Sequence, residues 1–254
     1  MTDDLDACAA LVAKGDPARW RAVMAAPEAM RARLLPIYAA NVEVARAPWV
    51  TSEPLIAKMR LQWWRDALEE IAAGGPVRRH EVVTPLAGVI DAEGARLLDR
   101  AVAAREWDVD GEAFRDRNAV LDHVDRTAGS VMRVAARAVG APDGAARDAG
   151  RAQGVANLLA AVPALVAKRK HPLPHGDPEA HAVALADGGL AALDRFRAAD
   201  VPRAARPAFL VLPEAERVLR AIRARPRAVT EGLPEGPSLR DRVAFARRAL
   251  LNRP

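Results

Sequence analysis

"RAQGVANLLAAVPALVAKRKHPLP", residues 151–174, is the stretch that says most about the fold. Its apolar side chains recur every three or four residues, the spacing of one face of an α-helix. These side chains are Val155, Leu158, Leu159, Val162, Leu165 and Val166. Pro172 and Pro174 then prevent further helix, because proline lacks a backbone N–H. The stretch predicts a long helix over 143–168, followed by a loop.

Helix signals recur on both sides of this stretch. Asp16-Pro17, Pro27-Glu28 and Glu53-Pro54 each combine an acid with a proline, which is tolerated in the first turn of a helix. The helix from Pro54 carries an apolar stripe and should end at Gly74. Further helices are predicted over 84–90, 92–105, 114–139, 178–199 and 204–223.

No stretch shows the alternation typical of strands, and no linker is long enough to divide the chain. A hydrophobic fraction of 51% supplies a sizeable core, and alanine and leucine favour helix. The chain of 254 residues is therefore predicted to be one all-α domain. Its core covers about 8–225, and its tail, 226–254, combines a loop with a short basic helix.

The formal net charge is +5, and nearly all of the positive charge is arginine. Many arginines alternate with acids along predicted helices, which is typical of a solvated surface. Four phenylalanines and one tyrosine offer little surface for stacking nucleic-acid bases, so no nucleic-acid partner is expected. Attraction to anionic lipid or to a diphosphate group stays open.

The compartment can be inferred from what the chain lacks. Cys8 is the one cysteine, so no intrachain disulfide can form. The acidic start does not resemble a signal peptide, and no apolar run is long enough to cross a bilayer. A cytoplasmic protein is expected, with peripheral contact at the inner membrane left open.

The residues alone identify no catalytic motif. No nucleophile elbow, phosphate-binding loop or dinucleotide fingerprint occurs. Asp122, His123 and Asp125 stand together near a predicted helix start, where acids usually complement the helix dipole. A catalytic or metal-binding role for these three residues is the open alternative.

Four segments, read in order, resemble the squalene/phytoene synthases. They are "RARLLPIYAANVEVA" (31–45), "EPLIAKMRLQWWRDALEEIAAG" (53–74), "HVDRTAGSVMRVAARAVG" (123–140) and the stretch quoted first. The resemblance covers about 8–225. It implies the all-α isoprenoid synthase fold, a multi-helix bundle with a central cavity that binds two prenyl diphosphates. In that family two aspartate-rich motifs hold Mg²⁺, which drives departure of the diphosphate.

This sequence departs from the family at both aspartate motifs. The first motif aligns with Ala45, Arg46 and Trp49, and the second with Ala161 and Leu165. Asn41 and Glu43 each offer one oxygen ligand nearby, too few for a cluster of divalent ions. No catalytic residue and no metal ligand is therefore expected, and no cofactor is expected unless the chain is an active enzyme that uses Mg²⁺.

Several other residues are candidates for a ligand cavity. Gln153 and Asn157 form either a buried hydrogen-bonded pair or the remnant of a polar pocket. The cations at 168–170 either complement the dipole at the end of their helix or contact a diphosphate. Trp64 lies on the apolar stripe of the core, whereas Trp63 would line the cavity or mark a partner surface. The candidate binding residues are Arg31, Tyr38, Asn41, Glu43, Arg60, Trp63, Gln153, Asn157, Arg169 and Lys170.

One branch of the family resembles the chain more closely, that of the mitochondrial respiratory complex I assembly factor 6. The shared features are "NVE" (41–43), "MRLQWW" (59–64), "AQG" (152–154) and "PAFLVLPEAERVLRAI" (207–222). This resemblance implies a non-catalytic assembly or binding factor whose partners are complex I subunits or assembly intermediates. The alternatives are an active prenyltransferase that couples two prenyl diphosphates head to head, and a prenyl- or lipid-binding protein.

Overall fold

A computed structural model describes residues 3–233 and 245–247, and this part of the chain contains helices and no strand. The first seven α-helices are α1 (Asp3–Gly15), α2 (Pro17–Met24), α3 (Glu28–Arg46), α4 (Pro54–Ala73), α5 (Val83–Ala87), α6 (Ala92–Ala104) and α7 (Glu106–Asp110). The others are α8 (Arg117–Val124), α9 (Ser130–Ala138), α10 (Asp143–Ala167), α11 (Pro178–Ala198), α12 (Leu212–Ala224) and α13 (Ala228–Glu231). The prediction of an all-α fold is confirmed. Of the predicted basic tail helix, 245–247 are helical, and the rest lies outside the described residues.

The core forms around α3 and α10. All seven residues from Leu34 to Ala40 of α3 are buried, and α3 packs against α1 and α9. The 25-residue helix α10 packs against α9, α11 and α12. Helix α4 packs against α6 with its predicted stripe, in which Leu61, Trp64, Leu68 and Ile71 are all buried.

The predicted helix starts are confirmed at local detail. The Asp16 side chain caps α2 by accepting a hydrogen bond from the Arg19 N–H at 3.0 Å. Thr51 accepts one from the Glu53 N–H at 3.1 Å, just before α4. Gly74 ends α4 with a φ of 70°, a left-handed conformation that glycine adopts without steric cost.

Two predicted helices were wrong in extent. The helix predicted over 114–139 begins at Arg117, and a π-helical turn over 125–129 separates α8 from α9. There the Thr127 hydroxyl donates to the His123 carbonyl at 2.7 Å, which competes with the backbone ladder. The helix predicted over 204–223 is a 3-10 segment followed by α12, because Pro207 and Pro213 each lack a backbone donor. Helices α1, α7 and α13 were not predicted.

Helix α10 approaches the π-helical turn closely because it carries glycine there. A Cβ on Gly150 would lie 2.8 Å from the Gly129 Cα, and one on Gly154 would lie 2.6 Å from a Val124 methyl group. Backbones can come this near only where one partner has no side chain. In the described part of the chain, no helix is both long and apolar enough to span a membrane.

Candidate functional site

The positions aligned with the first aspartate motif lie at the end of α3 and in the 3-10 turn that follows it. Ala45 is half-buried and Arg46 is exposed. The Arg46 guanidinium forms an ion pair with Glu43 at 3.1 Å. The Glu43 carboxylate therefore neutralises a neighbouring cation on its own helix, and Trp49 is the last residue of the 3-10 turn.

The positions aligned with the second motif lie on α10, where Ala161 and Leu165 are half-buried. Gln153 and Asn157 do not act together. Gln153 is 5% exposed, whereas Asn157 is exposed to solvent. Only Gln153 belongs to the buried polar interior.

A buried arginine, Arg19 of α2, connects this interior. It is 3% exposed and forms an ion pair with Asp16 at 2.9 Å. Its second terminal nitrogen donates to the Gln153 Oε1 at 3.1 Å. The guanidinium also lies over the Tyr38 ring, 5.0 Å from its centroid, and burial raises the pKa of that phenol to about 12.

Arg19 was not predicted to be a site residue. The chain is rich in arginines, and most of them pair at the surface, which makes a buried one hard to recognise. A signal exists nevertheless, because Arg19 stands three and four residues before the buried Ala22 and Val23. That spacing places it on the inward face of α2.

The interior between α3, α4, α6 and α9 contains a cavity of about 10 Å³. Its polar lining comes from Asn41, Arg105 and Thr127. Apolar side chains, including Trp64 and Val131, fill the surrounding space. This volume is about the minimum for one water molecule, whereas drug-sized ligands occupy roughly 300 Å³ or more.

Trp49 lies against the basic end of α10 rather than in this cavity. The Lys168 ammonium is 4.2 Å from the Trp49 ring centroid, and that of Lys170 is 5.9 Å away. Lys170 also donates to the Val109 carbonyl at 2.6 Å and so ties α10 to α7. These contacts give Lys168 and Lys170 structural roles, while Arg169 remains exposed.

Helix α10 ends in a Schellman motif without glycine. Lys170 N–H donates to the Leu165 carbonyl at 3.0 Å, and Arg169 N–H to that of Val166 at 2.8 Å. Arg169 has a φ of 59°, a left-handed conformation that is unfavourable for residues with a side chain. The motif fixes the position of all three cations.

Of the two adjacent tryptophans in α4, Trp64 lines the cavity and is 5% exposed. Trp63 is half-buried and packs edge-on against Trp64 at 5.3 Å between centroids. The Arg78 guanidinium covers the Trp63 ring at 4.9 Å. Among the candidate arginines, Arg60 is exposed, and Arg31 donates to the Ala26 carbonyl at 2.8 Å beside the turn between α2 and α3.

Asp122, His123 and Asp125 do not converge on a common point. Asp122 pairs with Arg126 at 3.8 Å, and Asp125 pairs with Arg151 of α10. His123 packs against Trp107 and Phe114. Burial, with help from nearby arginines, lowers its pKa to about 3, so the imidazole is neutral. Across the described residues, no group of three or more histidine, cysteine or acidic side chains has the arrangement of a metal site.

Solved structures resemble this fold throughout. A dehydrosqualene synthase has a TM-score of 0.75 at 15% sequence identity, over 98% of this chain and 95% of that one. The squalene synthase HpnC from Alicyclobacillus acidocaldarius has a TM-score of 0.72 at 18% identity, over 88% and 94% of the two chains. At these identities the similarity shows the fold alone, that of the isoprenoid synthases.

Curated relatives resemble the sequence itself. Complex I assembly factor 6 from Homo sapiens is 27% identical over 183 residues, covering 66% of this chain and 52% of its own length. The homologue from Drosophila melanogaster is 30% identical, over 61% of this chain and 50% of its own. The chain thus spans about half the length of these relatives. The sequence profile of the squalene/phytoene synthases matches residues 12–188. Because that match spans well over half of its residues, the chain belongs to the squalene/phytoene synthase family.

Proposed function

We propose that this protein is a non-catalytic member of its family that acts as an assembly factor for respiratory complex I. One observation carries the proposal. The positions aligned with the metal-binding aspartates hold side chains without a ligand oxygen. These are Ala45, Arg46, Trp49, Ala161 and Leu165.

The residues present do not fit the Mg²⁺ that the fold family implies. Mg²⁺ requires an octahedron of oxygen ligands, usually with carboxylates among them. Arg46 brings a cation to the end of α3 and engages Glu43, the nearest carboxylate, at 3.1 Å. Ala161 and Leu165 on α10 have no donor atoms. The chemistry of the donor set therefore argues against diphosphate ionisation driven by bound Mg²⁺.

The small interior cavity supports the same conclusion on steric grounds. The cavity enclosed between α3, α4, α6 and α9, at about 10 Å³, cannot admit one prenyl chain, and coupling would require two. The same volume counts against the alternative of a prenyl- or lipid-binding protein that encloses its ligand between these helices. Native mass spectrometry tests that alternative, because a retained apolar ligand would show that the cavity opens.

The assembly role comes from the curated relatives, which are named as complex I assembly factors. By this proposal the partners are complex I subunits or assembly intermediates, and the protein works peripherally at the membrane that holds the complex.

An enzymatic assay tests the non-catalytic part. Purified protein is incubated with Mg²⁺ and farnesyl or geranylgeranyl diphosphate, and released diphosphate is measured against a blank without protein. We expect no release above the blank. Steady release would overturn the non-catalytic assignment and favour the alternative of an active head-to-head prenyltransferase.

A genetic experiment tests the assembly part. We expect deletion of the gene to lower NADH:quinone activity in isolated membranes and to lower the amount of assembled complex I. Re-expression of the intact chain should restore both. If activity and assembled complex are unchanged after deletion, the assembly role is wrong.

A further inference from the structure

We propose that the surface around the start of α4 and the end of α10 docks onto an anionic lipid bilayer. The inference begins with exposed apolar side chains. Six large ones are exposed in the described part of the chain, and five lie in these two segments. The five, called here the apolar rim, are Val50, Leu55, Ile56, Met59 and Val166, with exposed fractions of 47%, 71%, 46%, 62% and 55%.

The apolar rim borders one groove. The groove has a volume of about 480 Å³ and is lined by residues 48–49, 51–54 and 57, by 108–109 and by 167–170. Val50, Leu55, Ile56 and Val166 are chain neighbours of lining residues, and Met59 lies one helical turn beyond Leu55. The rim residues therefore lie beside the groove on two helix ends, and this concentration of exposed large apolar side chains is unusual on a surface that faces only water.

The groove also carries concentrated positive charge. Lys168, Arg169 and Lys170 line it in succession, and none of them forms an ion pair with a described carboxylate. Lys168 rests on Trp49, and the Schellman motif holds Arg169 outward in solvent. Arg60 is exposed on the same face of α4 as Ile56, four residues earlier.

The acids of this region are mostly neutralised. Asp110 pairs with Lys58 at 2.9 Å, and Asp108 pairs with Arg105 at 3.1 Å. Glu53 is the acid that lines the groove without an ion pair among the described residues. Three unpaired cations against one carboxylate leave the groove electropositive.

Apolar side chains surrounding unpaired cations match the surface of an anionic bilayer. Leucine, isoleucine and methionine enter the interface between headgroups and acyl chains, while lysine and arginine meet lipid phosphates. Protein–protein interfaces are depleted in lysine, whereas this groove presents two lysines beside exposed aliphatic side chains. The lipid surface is therefore the occupant that this charge pattern favours.

This inference adds a membrane surface to the proposed function and does not depend on it. Vesicle binding by purified protein succeeds or fails regardless of complex I activity, so the failure of one proposal is distinguishable from that of the other.

The test is co-sedimentation of the purified chain with two kinds of vesicle, phosphatidylcholine alone and phosphatidylcholine mixed with phosphatidylglycerol. We expect binding to the mixed vesicles only, and weaker binding as salt is raised. Binding to neither kind, or equal binding to both, would overturn the proposal.

Two double variants locate the surface. Leu55→Ser with Met59→Ser removes apolar side chains, and Lys168→Gln with Arg169→Gly removes charge while glycine suits the φ of 59° at position 169. Each should weaken binding to the mixed vesicles by about tenfold or more. Binding at wild-type strength by both variants would overturn the assignment.

A matched control uses α2. Arg21→Gln with Met24→Ser also removes one exposed cation and one exposed apolar side chain. These two residues lie near the start of α3, whereas the groove lies beyond the end of α3, and the helix is about 27 Å long. This control should bind like the wild type. A different outcome would overturn the lipid proposal. If the wild type does not bind vesicles but forms a dimer, and Leu55→Ser with Met59→Ser abolishes that dimer, the apolar rim binds a second copy of the chain.

Discussion

At the scale of single residues, Arg19 joins three elements through one buried guanidinium. It pairs with Asp16 at the start of α2, reaches Gln153 on α10 and covers Tyr38 on α3. Its Nε is buried without a hydrogen-bond partner among the described residues. The guanidinium favours this arrangement of helices, because separating α2 from α10 would break its buried hydrogen bond with Gln153.

Replacing Arg19 should therefore destabilise the fold. We expect Arg19→Met to lower the free energy of unfolding by about 2 kcal/mol or more, because the Gln153 amide loses its partner in the interior. The free energy of unfolding of Arg19→Lys should lie between those of the wild type and Arg19→Met, since an ammonium cannot reach both Asp16 and Gln153 as a guanidinium does. Urea unfolding measures the change. Arg21→Met, at an exposed neighbour, should stay within about 0.5 kcal/mol. Equal effects at both positions would contradict the structural role of Arg19.

His123 gives the fold a dependence on pH. Burial against Trp107 and Phe114 lowers its pKa from 6.5 to about 3, with Arg105 and Arg126 adding to the shift. Between these two values the unfolded chain binds a proton that the folded chain does not. Stability conferred by the neutral ring is therefore present above about pH 6.5 and is lost as the pH falls toward 3.

His123→Phe should remove this part of the pH dependence. We expect the wild type to lose more stability than the variant when urea unfolding is repeated from about pH 7 down to about pH 4. Phe196→Leu is the matched control, because it disturbs a separate aromatic pair, with Phe209, and leaves the surroundings of the imidazole intact. Its pH dependence should follow the wild type. Parallel curves for the wild type and His123→Phe would show that His123 does not cause the effect.

At the scale of elements, the contact between α10 and the π-helical turn depends on glycine. Gly150 faces the Gly129 Cα, a backbone atom that cannot rotate away as a side chain can. We expect Gly150→Ala to lower the free energy of unfolding by about 1–3 kcal/mol, because the new methyl group would lie 2.8 Å from that atom.

Gly188→Ala is the control, since nothing lies within 4 Å of a Cβ at this position within α11. It should raise stability by about 0.5–1 kcal/mol through helix propensity. Thermal or urea unfolding of the two variants gives the comparison. If Gly150→Ala and Gly188→Ala change the free energy of unfolding alike, α10 and the π-helical turn can move apart at little cost, and the close contact does not contribute to stability.

The elements differ in how well the sequence predicts them. The starts of α2, α3 and α4 are local events, fixed by an acid, a proline or a capping oxygen within four residues, and they were predicted. The π-helical turn was not, because its cause combines the Thr127 hydroxyl with close packing against Gly150 on a later helix. The apolar periodicity across 114–139 is nearly that of one continuous α-helix, so it does not reveal the π-helical turn over 125–129.

At the scale of the whole molecule, the candidate site shows the same limit. Sequence resemblance located the ends of α3 and α10 and the replacements there, such as Arg46 and Leu165. It did not predict that Trp49 would meet Lys168, or that Arg19 would meet Gln153 across 134 residues. Such contacts depend on how helices distant in sequence pack together, which the pattern of one helix does not encode.

The chain as a whole should unfold as one cooperative unit, as expected for the single domain predicted over residues 1–254. Contacts link early and late helices: α3 packs against α9, α2 against the 3-10 segment before α12, and Arg19 bonds Gln153. Tryptophans report from both regions, because Trp20 lies in α2 and Trp107 in α7. We therefore expect urea unfolding followed by far-UV circular dichroism and by tryptophan fluorescence to give coincident midpoints. Single-tryptophan variants retaining only Trp20 or only Trp107 make the test local. Two separated midpoints would mean that α1–α5 and the later helices form distinct units, and the single-domain prediction would be wrong.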